Sequence, residues 1–167
     1  HLMDIYIVNG LPLHVLLVHL VVILVPVTAL CVLLAAAWPA ARRRLGVVLA
    51  LMGLFVIGAV PLTEQAGQWL KDRVPSTPLI SAHAALGGAL WPWTLALGLL
   101  AIAIWLWHAL TERAARRGTP PRARRAVAVV LVLLAVGIGG MATWQTVLVG
   151  ESGSRAIWQN SFSDIPR

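Results

Sequence analysis

Charge is scarce in this chain. Only 11% of its 167 residues are charged, against about a quarter in a soluble domain. Cysteine is nearly absent. Cys31 stands alone inside an apolar run, so neither a disulfide framework nor a CxxC pair is available. There is no phosphate-cradling Walker loop, no dinucleotide glycine motif and no HExxH or HxxxH metal spacing. No nucleophile is paired with a base, so the pieces of hydrolytic chemistry are missing. Met3 to Gly10 carries Asp4 but no Lys or Arg, whereas a cleavable signal peptide opens on a basic region. His1 and Leu2 precede Met3 and are left out of this reading.

What is abundant is apolar sequence. Hydrophobic residues make up 59% of the chain and fall into four blocks separated by short polar or basic pieces. Each block is long enough to cross a bilayer as a helix. The expected fold is all-α: one integral membrane domain over residues 1–167, an up-down-up-down four-helix bundle. The expected spans are about 12–38, 45–62, 78–110 and 126–149. Pro12 suits a first helical turn, where its missing N–H costs nothing. Pro26 should kink the first span, and Pro39 ends it. Gly53 and Gly58 allow close approach of another helix in the second span. Thr63 to Arg73 reads as an interfacial extension. Thr77 and Pro78 form a helix start, as N-cap and first helical residue. The third span exceeds a perpendicular crossing and so tilts or projects, with Trp105 and Trp107 in an interfacial belt. Gly137, Gly139 and Gly140 lie in the fourth, and Gly150 to Arg167 reads as a polar tail.

The net charge of +7 is no sign of nucleic acid, because the arginines flank spans. Nine of them lie in the first and third loops: Arg42, Arg43, Arg44, Arg113, Arg116, Arg117, Arg122, Arg124 and Arg125. The second loop holds only Lys71 and Arg73, and the tail only Arg155 and Arg167. The positive-inside rule then puts both termini outside and the arginine loops in the cytoplasm. The arginines can also meet anionic lipid head groups.

This orientation gathers His14, His19, Glu64, His83 and Glu151 at the outer end. At a helical rise of 1.5 Å per residue, His19 lies about 10 Å below Pro12 and His83 about 7 to 8 Å below Pro78, while His14 lies only about 3 Å in. His14 and His19 are five residues apart, about 140° around a helix, so they do not easily serve one small ion. Three readings are open. His19 and His83 could be axial ligands of a haem b, with space at Gly87 and Gly88 and with His14 bonded to a propionate. His14, His83 and a carboxylate, Glu64 or Glu151, could bind zinc or copper. Or no cofactor binds, and the histidines pack and hydrogen-bond as neutral residues. His108, beside Trp107 and the arginines, reads as a solvated helix end.

NGLPLHVLLVHL, LISAHAALGG and the closing GESGSRAIW together resemble a bacterial membrane family catalogued as domain of unknown function 2231. The resemblance covers about Asn9 to Trp158. The family's first motif is commonly HP followed four residues later by HFP. This chain keeps His14 and His19 but has Val15 and Val21 for the prolines and Leu20 for the aromatic. Glu151 stands where relatives often have histidine or aspartate. Family members occur fused to Rieske iron–sulfur or cytochrome domains, so the resemblance implies redox company and a bacterial inner-membrane location. The expected function is that of a membrane b-type cytochrome, exchanging electrons with a periplasmic redox protein or a quinone. The alternatives are a zinc- or copper-binding membrane protein and a non-redox subunit that joins a homo-oligomer or larger membrane complex through its glycine-rich faces.

Overall fold

The computed structural model describes residues 4–118 and 124–159. A single 3₁₀ turn, Asp4–Tyr6, leads into a minimal hairpin of β1 (Ile7–Val8) and β2 (Leu11–Pro12). Asn9 and Gly10 both have positive φ, 51° and 79°, as a two-residue Asn-Gly hairpin turn requires. The hairpin runs directly into α1 (Leu13–Ala37). A seven-residue α2 (Pro39–Leu45) follows, then α3 (Val47–Lys71), α4 (Pro78–Arg116) and α5 (Arg124–Trp158). α1, α3, α4 and α5 are each long and apolar enough to cross a membrane. The chain is therefore all-α and multi-pass.

The four long helices form a ring in which α1 packs on α3 and α5, and α4 packs on α3 and α5. α1 and α4 face each other across the diagonal. Small residues set the approach. An added Cβ at Gly53 would lie 2.6 Å from the Gly98 carbonyl oxygen, and one at Gly98 would lie 2.6 Å from the Gly53 oxygen. α3 and α4 thus cross backbone to backbone, which side chains at either position would prevent. On the opposite seam, Gly139 of α5 sits against Ala29 of α1. Between these contacts Val25, Val32, Val56, Leu97 and Ile104 fill the core. Three buried threonines return their hydroxyls to their own helix, Thr63 to Ala59, Thr94 to Leu90 and Thr146 to Ala142, while the Thr28 hydroxyl has no partner among the described residues. That satisfies those three donors without a partner on another helix.

Thr77 caps α4, its hydroxyl accepting from the Ile80 amide at 3.2 Å, with Pro78 behind it. Three boundaries differ from expectation. The arginine triplet is helical rather than loop, because Pro39 starts α2 after Trp38 breaks α1. The expected extension at Thr63–Arg73 is part of α3, which runs unbroken past Leu62 to Lys71. α5 continues past Val149 to Trp158, through the expected polar tail. There Ser152 and Ser154 return their hydroxyls to Val149 and Gly150, and Arg155 pairs with Glu151 one turn away. These local bonds keep a polar stretch helical.

Candidate functional site: a histidine pair at one end of the bundle

The start of α1, the end of α3, the start of α4 and the end of α5 meet at one end. His14, the second residue of α1, points inward and is half-buried. Its Nδ1 is 2.9 Å from the Thr63 carbonyl oxygen of α3. A carbonyl only accepts, so His14 carries its proton on Nδ1 and leaves Nε2 with a lone pair. His83, from α4, is also half-buried, with Nδ1 3.0 Å from Ser152 Oγ of α5. The Ser152 proton is committed to the Val149 carbonyl at 2.9 Å. Ser152 Oγ therefore accepts from His83, which likewise leaves Nε2 bare. The two imidazole rings have centres 6.1 Å apart and planes inclined by 71°.

Glycines make room for both rings. A Cβ at Gly67 of α3 would lie 2.9 Å from His14 Cε1, and one at Gly153 of α5 would lie 3.0 Å from His83 Cε1. Gly87, one turn after His83, has open space where its Cβ would be. The rim is closed by an aromatic stack. Tyr6 lies on Trp69 with ring centres 5.5 Å apart, and the Arg73 guanidinium sits 4.0 Å over the same indole. The hairpin is thereby tied to the end of α3.

The other expected residues lie elsewhere. His19 does not face His83: it is exposed, and its Nδ1 donates to the Val15 carbonyl of its own helix at 2.7 Å. The level argument failed because it set Pro12 and Pro78 at one height. With His14 beside His83, α4 begins about four residues, or about 6 Å, further out than α1. The angular argument then decides the rest: a ring five residues on from an inward one points away. Glu64 is half-buried, with Oε1 against the backbone of Gly88 rather than between the histidines. Glu151 is exposed and paired with Arg155. Among the described residues, no three His, Cys, Asp or Glu side chains are grouped to hold a metal ion. His108 lies at the opposite end of α4, 3.3 Å from Glu112.

Thr63, Gly67, Ser152 and Gly153 were not read from the sequence as site residues. The one available signal was position, since Gly67 and Gly153 follow spans that end at the histidine level. No family model, curated protein or solved structure matches the chain.

Proposed function

We propose that the histidine end of the bundle is a bis-histidine haem b site and that the chain is a membrane electron carrier. One observation carries this: two imidazoles from diagonal helices, 6.1 Å apart, each with Nδ1 engaged and Nε2 free. Metal-bound imidazole nitrogens sit about 2 Å from the metal. Two rings on opposite sides of one iron therefore have centres about 6 Å apart, by the same bond length. Hydrogen bonds at the far nitrogen are what fix ligating histidines in tautomer and orientation. Haem needs only two protein ligands, and a b-type haem needs no cysteine. Zinc or copper needs three or four, which is why the same pair favours haem.

In this reading His14 and His83 would hold the haem iron, in place of the His19–His83 pair that spacing favours. Thr63 and Ser152 orient them, and Gly67, Gly87 and Gly153 leave the space. Bound haem would supply one-electron redox chemistry. The polypeptide would supply neutral donors, a low-dielectric surround and an aromatic rim at Tyr6 and Trp69. With the arginines taken as cytoplasmic, the site lies at the periplasmic side of a bacterial inner membrane, within reach of a periplasmic redox protein or a quinone. The three histidine and glycine motifs support membership of the domain of unknown function 2231 family, and with it the redox setting.

The test is spectroscopic. Protein expressed with ample haem should show low-spin bis-histidine bands. His14→Ala and His83→Ala should each abolish them, and His19→Ala should leave them in place. A colourless wild type, or bands lost with His19→Ala and kept with His14→Ala, overturns the assignment.

A second reading rests on the lipid-facing side of the bundle. A groove of about 430 Å³ runs between α1 and α5, past Pro26, Ala29, Gly139 and Gly140. A helix of a second copy or of a larger complex would fit against it. Cross-linking from Gly140→Cys in native membranes, read as a discrete dimer or hetero-adduct, distinguishes this assembly role.

A further inference from the structure

The opposite end of the bundle holds an arrangement that the histidine site does not use. α2 turns Arg42 inward while Arg43 and Arg44 stay exposed. The Arg42 Nε is buried with no hydrogen-bond partner. Its Nη2 has only a long contact, 3.5 Å, to the Ala36 carbonyl. Burial, then the like charges of Arg124 and Arg43, push the guanidinium below its ordinary pKa. Arginine nevertheless stays protonated in proteins. A half-buried cation beside other cations is costly unless an anion meets it. The described residues at this end offer one carboxylate, Glu112, and it is engaged with His108.

A groove of about 340 Å³ opens beneath Arg42. Ala36 and Pro39 form one wall, Ala128, Val129 and Leu133 of α5 the other. The lower part faces outward and is apolar: Val129 is 58% exposed and Leu133 66%. The half-buried Arg42 guanidinium stands at the top of a channel that continues down the membrane-facing surface. That combination matches one ligand chemistry, a phosphodiester attached to an acyl chain. The planar guanidinium fork fits phosphate oxygens, and basic pockets between spanning helices are where anionic head groups settle.

We propose that the groove between α2 and the first turns of α5 seats one anionic phospholipid, its phosphate against Arg42 and Arg124 and an acyl chain along Val129 and Leu133. The site is independent of what the histidines bind.

Native mass spectrometry of the full chain in mild detergent tests it, with phosphatidylglycerol and phosphatidylcholine titrated separately. One phosphatidylglycerol should be retained in preference to phosphatidylcholine. Arg42→Gln should weaken that binding about fivefold, the effect of one basic residue at a lipid surface. Arg44→Gln removes the same charge from an exposed position outside the groove and should change it clearly less, because solvent and salt screen an exposed charge. Val129→Trp keeps every charge, fills the groove and should also weaken binding. Should Arg42→Gln fail to fold, Arg124→Gln gives the same reading. Equal retention of the two lipids, or equal losses in Arg42→Gln and Arg44→Gln, overturns the site in favour of diffuse attraction. Full displacement of the lipid by millimolar inorganic phosphate overturns it in favour of a free-anion site.

Discussion

Adding one methyl group at Gly53 should loosen the bundle, while adding it at Gly58 on the same helix should not. An alanine Cβ at Gly53 would stand 2.6 Å from the Gly98 carbonyl oxygen and 2.9 Å from the Ala101 Cβ. Ordinary contact begins near 3.4 Å, so α3 and α4 must part by about 0.8 Å. Neither neighbour is the tip of a flexible side chain, and Leu97 and Ala101 alongside are wholly buried. Overpacking of this kind costs about 1–3 kcal/mol. At Gly58 nothing lies within 4 Å of the new methyl. There the helix preference for alanine should give a gain of about 0.5–1 kcal/mol. Gly98→Ala meets the Gly53 oxygen and Ile57 at 2.6 Å and should match Gly53→Ala. Once the helices have parted for one methyl, the second costs less, so the double variant should be milder than the sum. The assay is loss of helicity during titration of a mild-detergent sample with sodium dodecyl sulfate. Equal midpoints for Gly53→Ala and Gly58→Ala would refute the backbone-to-backbone crossing. Strict additivity of Gly53→Ala and Gly98→Ala would refute their sharing it.

Other outcomes follow from the histidine end and the loops. Gly67→Ala places a methyl 2.9 Å from the His14 ring and should lower haem occupancy, seen as a reduced ratio of haem absorbance to protein. Gly87→Ala, with open space around it, should raise the empty protein's stability slightly, as at Gly58, and reduce occupancy only through the haem it would touch. Changing Glu64 and Glu151 together to Gln should preserve bound haem; loss of stoichiometric zinc or copper in that variant, measured by elemental analysis, would favour the metal-ion reading. In a Cys31→Ala background, cysteines at Ser76 and at Arg43 should label from opposite sides of an intact cell with an impermeant reagent, Ser76 from outside; equal labelling would remove the periplasmic assignment.

The number and order of the spans could be read from hydropathy because each is a block bounded by proline, arginine or a cap. Thr77 and Pro78 marked the start of α4 to the residue, since capping chemistry is local. Rotation about each helix axis could not be read. In α1 the buried Val25 and Val32 and the exposed Val22 and Val27 are the same residue type, so composition does not say which side is inward. That is why His14 and His19 could not be ranked by face, and their ranking by depth inherited an assumption about where α4 begins. The Asn9-Gly10 hairpin was legible in principle, but its strands are two residues each, too short for an alternating pattern to show. Ser152 escaped notice because a serine reveals its role only when its partner is known.

The hydrogen bonds of the histidine pair have a mechanical consequence. His14 latches α1 to α3, and His83 latches α4 to α5. The bundle is thereby divided into an early and a late helical hairpin, which abut along the Gly53–Gly98 and Ala29–Gly139 seams and, at one end, through the imidazole contact. Anything held by both rings acts as a rivet through the joint between the halves. Its binding free energy then adds to their docking, because a ligand specific for the joined state stabilises that state. Each hairpin can enter the membrane with its own latch closed, and the rivet can be set only after the two have come together.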